Sequence, residues 1–177
     1  MTRKLLLLLL TVLLWQCSKE KEFEITKDQV GPITKSTSKE DILSFFINDS
    51  VVMLPPDRDF VNEFVVYDKK GKHLLSIYPS IPKDSLNYIE RIQIYSPLFK
   101  TEKGISVASN YGDVASNYSF TKIDPTFTSA IIYVDEINGS IVLEKSDLGL
   151  SEDNLDPISK DQIPDLARIK YISIWFE

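Results

Sequence analysis

The stretch VGPITKSTSKEDILSFF, residues 30–46, recurs in altered form as KGISVASNYGDVASNY at residues 103–118. An offset of 72 positions aligns Ile33 with Ile105, and the same offset aligns the apolar residues further along each stretch, namely Ile42 with Val114 and Phe46 with Tyr118. Each copy has a short extended piece, then small polar residues, then apolar residues at helical spacing. The recurrence predicts that the chain contains a duplicated unit.

Both copies also carry a signal for the start of a helix. Thr37 and Glu40 have the spacing of a capping box, in which a small polar residue and an acid three positions later satisfy each other's backbone N–H groups. Asn110 and Asp113 offer a similar pair in the second copy. We therefore expect one short helix in each half of the chain.

The likeness continues downstream of both helices. EFVVYDKKGKHLL (63–75) and AIIYVDEINGSIVL (130–143) each place two β-rich runs around a glycine-containing turn, which predicts a hairpin. The pair Asn138-Gly139 indicates a type I′ turn in the second hairpin. A further strand follows each hairpin, within IPKDSLNYIERIQIY (81–95) and IPDLARIKYISIWF (163–176).

These patterns predict an α+β fold with two similar halves, each a helix packed on antiparallel strands. The halves would form either two lobes or one continuous antiparallel sheet. The expected divisions are a first repeat at 30–98 and a second repeat at 99–177, and the second repeat carries an acidic insert near 146–162.

The N-terminus has the layout of a secretory leader. Arg3 and Lys4 precede an apolar run of eleven residues, Leu5 to Trp15, which is shorter than the roughly 18 apolar residues that a transmembrane helix needs. A charged segment follows Cys17 at once. We expect residues 1–16 to be a signal peptide and residues 17–29 to be a polar tether.

Leu14-Trp15-Gln16-Cys17 resembles the lipobox of bacterial lipoproteins, although Gln16 stands where that family usually has Gly, Ala or Ser. The resemblance implies that Cys17 is lipidated after cleavage and that the chain is anchored in the bacterial envelope, with the outer membrane as the expected membrane. The alternative is an ordinary signal peptide that is cut elsewhere and leaves a free cysteine.

Charge and cysteine content limit the classes of function. The chain has 20 basic and 26 acidic residues, and loss of Arg3 and Lys4 with the leader would take the net charge from −6 to −8. An acidic chain of this kind is not expected to bind nucleic acid, since that binding relies on Lys and Arg at phosphates. Cys17 is the only cysteine, so its lipidation would leave no thiol for a disulfide within the chain.

Three short motifs resemble a small bacterial lipoprotein family that is linked to the envelope stress response and has no known function. They are the opening Val30 to Thr37, the glycine-led segment Gly104 to Val107, and the terminal strand Lys170 to Trp175. Members of that family carry a cysteine pair in the second half, which this chain lacks. A looser likeness is to helix-on-sheet envelope lipoproteins and tandem inhibitor proteins.

The sequence offers little for catalysis or metal binding. His73 is the only histidine and follows a lysine-rich turn, which suits an exposed strand residue better than a general base. One histidine without a thiol does not make a zinc site. Acids of the insert could hold calcium, but they lack the alternating loop pattern, so a solvated loop is expected instead; these acids are Asp147, Glu152, Asp153 and Asp156. We expect no metal and no cofactor.

Tyrosines are the remaining candidates for a binding surface, since tyrosine is enriched at protein interfaces. The candidate interaction residues are Tyr88, Tyr95, Tyr111 and Tyr118, and packing within the sheet is the alternative. The expected function is that of a non-enzymatic envelope lipoprotein with a protein partner. Two alternatives remain: an envelope hydrolase that uses carboxylates or His73, and a binder of a small or lipidic molecule in a cleft between the halves.

Overall fold

The computed structural model describes residues 23–55, 63–80, 88–151 and 154–176. Within these ranges the chain forms twelve strands and two α-helices: β1 (Glu24–Ile25), β2 (Gln29–Val30), β3 (Ile33–Thr34), α1 (Lys39–Phe45), β4 (Ser50–Leu54), β5 (Glu63–Tyr67), β6 (His73–Pro79), β7 (Ile89–Ile94), β8 (Lys100–Thr101), α2 (Tyr111–Asn117), β9 (Ile123–Pro125), β10 (Ser129–Val134), β11 (Gly139–Glu144) and β12 (Ile169–Trp175). The expected signal peptide (1–16) and Cys17 lie outside the described residues.

The large sheet has eight antiparallel strands in the order β4-β5-β6-β7-β12-β11-β10-β9. At its centre β7 pairs with the C-terminal strand β12, with Ile92 opposite Ile174 and Ile94 opposite Ile172. A second, four-stranded sheet has the order β3-β2-β1-β8, and β1 and β8 in it are parallel. Both sheets therefore contain strands from the first and the second half of the chain.

One face of the large sheet builds the hydrophobic core. Residues that pair directly across neighbouring strands face the same side of a sheet. Four such partners form one continuous apolar row across four strands: Leu75, Ile94, Ile172 and Ile141. All four side chains are fully buried. Apolar residues of both helices and of the small sheet belong to the same core cluster, so the helices and the small sheet cover this face.

The predicted α+β class is wrong. The described residues form a mostly β protein, with twelve strands in two sheets and helices of only seven residues each. The physical reason is that a two-turn helix contributes few apolar residues. Ile42 is the buried residue within α1, and Tyr111 and Val114 are those within α2. Burial of most of the apolar surface is left to the strands.

The helices begin with capping boxes, one of which was predicted a residue too early. In α1 the box is formed by Ser38 and Asp41, not by Thr37 and Glu40: the Asp41 N–H donates to Ser38 Oγ at 3.1 Å, and the Ser38 N–H donates to Asp41 Oδ2 at 3.1 Å. The box of α2 is the predicted pair, Asn110 and Asp113. The two boxes are 72 residues apart, as in the alignment of the copies.

Both predicted hairpins are present, as β5–β6 and β10–β11. The predicted type I′ turn is wrong, because such a turn needs a left-handed backbone at both Asn138 and Gly139. A 3-10 turn over Asp135–Ile137 precedes Asn138, and of this pair only Asn138 has a left-handed backbone, with φ of 45°. Gly139 instead starts β11, opposite Val134 of β10. An added Cβ at Gly139 would lie 2.2 Å from the Ser173 carbonyl oxygen, so glycine is required there by a close approach of the neighbouring strand β12.

Candidate functional site

The two edges of the large sheet differ in how they are protected. β9 is an edge of three residues, contains Pro125, and carries an ion pair between Lys122 and Asp124 at 2.8 Å. Short length, proline and charge are the features that keep an edge strand from pairing with another chain. The β9 edge is therefore protected.

The opposite edge, β4, has none of these features within the strand itself, and Asp49 and Pro55 lie directly before and after it. It is five residues long, SVVML, and contains no charged residue and no proline. It pairs with β5 on one side, and no strand among the described residues pairs with it on the other. Since alternate residues of an edge strand direct their N–H and C=O groups away from the sheet, β4 presents an unpaired hydrogen-bonding row.

The side chains around this edge are apolar and exposed on both sides. Val52 and Leu54 share the face of Val65 and Glu63, whereas Met53 shares the core face with Phe64. We define the edge patch as Val52, Met53 and Leu54, whose exposed fractions run from 41% to 49%. Exposed apolar side chains grouped in this way mark interaction sites.

Among the described residues, one carboxylate lies next to each end of β4 in sequence or pairing register. Asp49 directly precedes the strand, and Glu63 lies opposite Leu54 on β5. The exposed lysines of residues 68–72 lie in the loop between β5 and β6, further from the free edge than β4 is. This follows from the register, because Ser50 of β4 pairs with Tyr67 of β5, and Tyr67 pairs with His73 of β6. Glu63 accepts a hydrogen bond from Tyr78 on β6, on the side away from the free edge, so Asp49 is the carboxylate beside a strand added at β4.

The face of the sheet opposite the core carries a row of stacked rings. The His73 imidazole stacks on Tyr95, with 4.0 Å between ring centroids and 24° between planes. Tyr67 lies 5.4 Å from His73 on one side, and Tyr171 lies 5.5 Å from Tyr95 on the other. The rings stand beside one another across β5, β6, β7 and β12. They pack mainly against each other, so they stabilise this face more than they offer a flat platform for a ligand.

A hydrogen-bond network on the same face includes one of these rings, Tyr95. The Tyr78 hydroxyl shares its one hydrogen between Glu63 Oε1 at 3.0 Å and Gln93 Oε1 at 3.1 Å, and the Tyr95 hydroxyl donates to Gln93 Oε1 at 2.8 Å. Burial, and then the charge of Glu63, raises the pKa of Tyr78. Burial likewise raises the pKa of Tyr95. Both phenols therefore stay protonated and act as donors within the network.

His73 makes one contact that invites a catalytic interpretation. Its Nε2 lies 3.0 Å from Ser76 Oγ, which is the arrangement of a base beside a nucleophile. Ser76, however, is only 1% exposed, so a substrate cannot approach its hydroxyl. No carboxylate among the described residues bonds the other ring nitrogen of His73. The pair fits a buried polar contact better than a hydrolytic site, and His73 is half-buried in the ring row, not exposed as the sequence indicated.

The four candidate tyrosines do not form one surface. Tyr111 and Tyr118 belong to the core, where they are 4% and 5% exposed. Tyr88 is half-buried just before β7, with the Lys35 ammonium 5.0 Å from its ring centre. Tyr95 belongs to the ring row on the opposite face of the sheet. The packing alternative therefore accounts for three of them.

The acidic insert is attached by two basic residues. Arg168 holds Asp147 through two side-chain hydrogen bonds of 2.8 Å, and the Lys145 ammonium, in a residue 2% exposed, donates to the carbonyl oxygens of Thr126 and Asn154. Asp147 is thus occupied by a cation of the chain. Glu152 and Asp153 lie outside the described residues. In the part of the chain that the structure covers, no three His, Cys, Asp or Glu side chains are grouped to hold a metal.

A polar cleft lies between segments of the two halves. Its volume is about 540 Å³, and its lining residues are Lys27, Asp28, Thr34, Lys35, Ser36, Asp135, Asn138 and Phe176. Phe176 is the only apolar side chain among these eight. An acyl chain would find little apolar surface here, so the cleft does not suit a lipidic ligand.

Neither a protein-family model nor a curated protein nor a solved structure matches this chain. The resemblances seen in the sequence therefore stay predictions. Over the ranges that the structure describes, no helix has the length and hydropathy to cross a bilayer.

The β4 edge is the feature that the sequence analysis missed. A signal for it was present, because SVVML contains no charged residue and runs between Asp49 and a pair of prolines. The run predicts a strand, but its place at an edge depends on which strands pair. The sequence alone gives no pairing order.

Proposed function

We propose that this chain is a lipid-anchored bacterial envelope protein that binds another protein through the β4 edge and catalyses no reaction. The lipobox-like segment at Cys17 supports the anchor. The unprotected β4 edge and the exposed edge patch support binding, because both offer surface that a protein partner would cover. The buried hydroxyl of Ser76 removes the best catalytic candidate among the described residues.

The observation that carries the proposal is the contrast between the two edges of one sheet. A chain that protects β9 with proline and an ion pair leaves four consecutive apolar residues, Val51 to Leu54, without such protection at β4. Natural sheets rarely leave such an edge open, since it invites aggregation. An edge that is kept open for a partner accounts for this difference.

Site-specific photo-crosslinking in intact cells tests the binding. A photoreactive residue at position 54 should capture one discrete protein, and the added substitution Val52→Lys, on the same edge, should abolish that product. The matched control is Tyr133→Lys, because Tyr133 is also 41% exposed but lies on the inner strand β10. The proposal fails if position 54 captures nothing, or if both lysine substitutions affect the product equally.

The anchor is tested separately by Cys17→Ser. We expect loss of fatty-acid labelling and release of the chain from the membrane fraction, since two or more acyl chains are needed for stable anchoring. Unchanged labelling and unchanged partitioning would show that Cys17 is not the site of lipidation.

A further inference from the structure

We infer that the partner segment at β4 is an extended, apolar run of about five residues from a different protein, with a basic flank at the end that meets Asp49, added antiparallel as a ninth strand. This inference rests on the proposed function and specifies its partner. It follows from three properties of the edge: its backbone, its side chains and its charges.

The backbone of β4 requires a strand. Its outward N–H and C=O groups are spaced for ladder hydrogen bonds, and a helix or a loop would leave most of them unmatched. All neighbouring pairs in the large sheet are antiparallel, from β4–β5 to β10–β9. An antiparallel addition continues this pattern and lets a strand of five residues match the full length of β4.

The side chains require an apolar segment on both of its faces. Val52 and Leu54 border one face of the added strand, whereas Val51 and Met53 border the other. A segment with apolar residues at successive positions would cover both sets, whereas strictly alternating polar and apolar residues would cover only one.

The charges select a basic flank and oppose a second copy of this chain. Asp49 directly precedes β4, so lysine or arginine beyond the end of the segment that pairs with Ser50 would face its carboxylate. Suppose that β4 of one copy paired antiparallel with β4 of another, with Val52 opposite Val52. Asp49 of each copy would then lie near the end of the partner strand that carries Leu54, which Glu63 borders. The two copies, each with a net charge of −8 after loss of the leader, would also repel.

Fluorescence anisotropy with three labelled peptides tests the inference: KKVTVIVKK, its acidic-flanked form EEVTVIVEE, and the interrupted form KKVTPIVKK. We expect the first to bind, and the acidic form to bind about tenfold more weakly at low salt, with a smaller difference in about 0.5 M salt. The interrupted peptide should also lose about tenfold, since proline removes a ladder donor and prevents a continuous strand.

Substitutions identify the surface that the peptide uses. Val52→Lys and Val52→Glu should both weaken the first peptide, so that charge alone cannot explain the loss. Tyr133→Lys and Tyr133→Glu should leave its affinity unchanged. Circular dichroism of all four variants checks that the sheet is intact, and Met53→Glu replaces any Val52 variant that fails to fold.

Three results would overturn the inference. Equal binding of the acidic-flanked and basic-flanked peptides at low salt would remove the charge selection. A dimer in light scattering that Val52→Lys dissociates would make a second copy the partner. If no peptide binds but the crosslink at position 54 persists and still depends on Val52, the inference fails while the proposed function stands; if the crosslink is also absent, both fail.

Discussion

The pairing of Arg168 with Asp147 shows how a single residue fixes a loop to the sheet. Arg168 directly precedes β12, and besides its two side-chain contacts its backbone N–H donates to Asp147 Oδ2 at 3.0 Å. These hydrogen bonds lower the pKa of Asp147 from 3.8 to about 2. The folded chain therefore stabilises the ionised form of the Asp147 side chain relative to the protonated form.

This shift gives a dependence of stability on pH. Since the folded pKa of Asp147 is below the unfolded value, the pair contributes its full stabilisation above about pH 4 and loses it as the pH falls towards about 2. Asp147→Asn should lower the melting temperature near neutral pH, and the difference from the native chain should shrink towards pH 2. The measurement is thermal unfolding by circular dichroism across this range.

The matched control for this prediction is Asp161→Asn. Asp161 is an exposed carboxylate in the same region, within the 3-10 turn Lys160–Gln162, and no ion pair to it is found among the described residues. Its substitution should shift the melting temperature little at any pH. A difference for Asp147→Asn that stays constant from acid to neutral pH would contradict the assignment.

At the scale of the element, the β10–β11 hairpin depends on two adjacent residues with different roles. Asn138 takes the left-handed backbone that closes the turn, and its side-chain amide donates to the Trp175 carbonyl at 2.7 Å. Gly139 lets β12 approach β11, because any side chain there would meet the Ser173 carbonyl. The hairpin is thus fitted to the strand beside it as well as to its own turn.

Gly139→Ala should destabilise the chain by about 3 kcal/mol or more, since the added methyl group meets backbone that cannot move without breaking the β11–β12 register. Urea unfolding followed by Trp175 fluorescence measures this effect on residues 18–177. The control is Gly71→Ala, where φ is +77° but no atom lies within 4 Å, so only the left-handed strain of about 1 kcal/mol is expected. Equal losses at both glycines would contradict the steric explanation.

The large sheet joins the two parts of the chain at its middle. The order of elements is the same in both parts: a helix, then four strands in sequence, with the last strand of each at the centre. β7 pairs with β12 in the large sheet, and β1 pairs with β8 in the small one. The duplication inferred from the sequence stays a prediction. In each sheet, however, a strand of one part pairs with a strand of the other part.

Neither part should fold alone. A fragment of residues 23–98 lacks the strands that pair with β7 and β1, and it exposes Ile92 and Ile94 at a new edge. We expect it to show an unfolded amide spectrum by NMR, and mixing it with residues 99–177 should restore dispersed resonances. A fragment that unfolds cooperatively without its complement would contradict this prediction.

Much of the local structure could be predicted from the sequence. The hairpins follow from alternating apolar residues around glycine, and the capping boxes follow from Asn110 with Asp113 and, one residue from the predicted position, Ser38 with Asp41. The strand predicted within residues 163–176 is present as β12, which lies between β7 and β11. These features depend on residues close in sequence, so local rules are sufficient for them.

The fold class and the candidate site could not be predicted in this way. The helices were given too much weight because the pattern shows where a helix starts but not how much of the core it buries. Tyr118 was a candidate surface residue from the sequence, but it is buried in the folded chain. Asp147 and Arg168 are 21 positions apart, so their contact depends on the path of the chain between them.

The sequence by itself determined a lipobox-like cysteine, two hairpins and the starts of two short helices. The tertiary structure alone decided that eight strands join into one sheet, that β9 forms one protected edge and that β4 forms the other, with which no further strand of the described ranges pairs. The reason is that a strand's own residues specify its extended backbone and its two faces, whereas its neighbours are chosen by the burial of the whole chain.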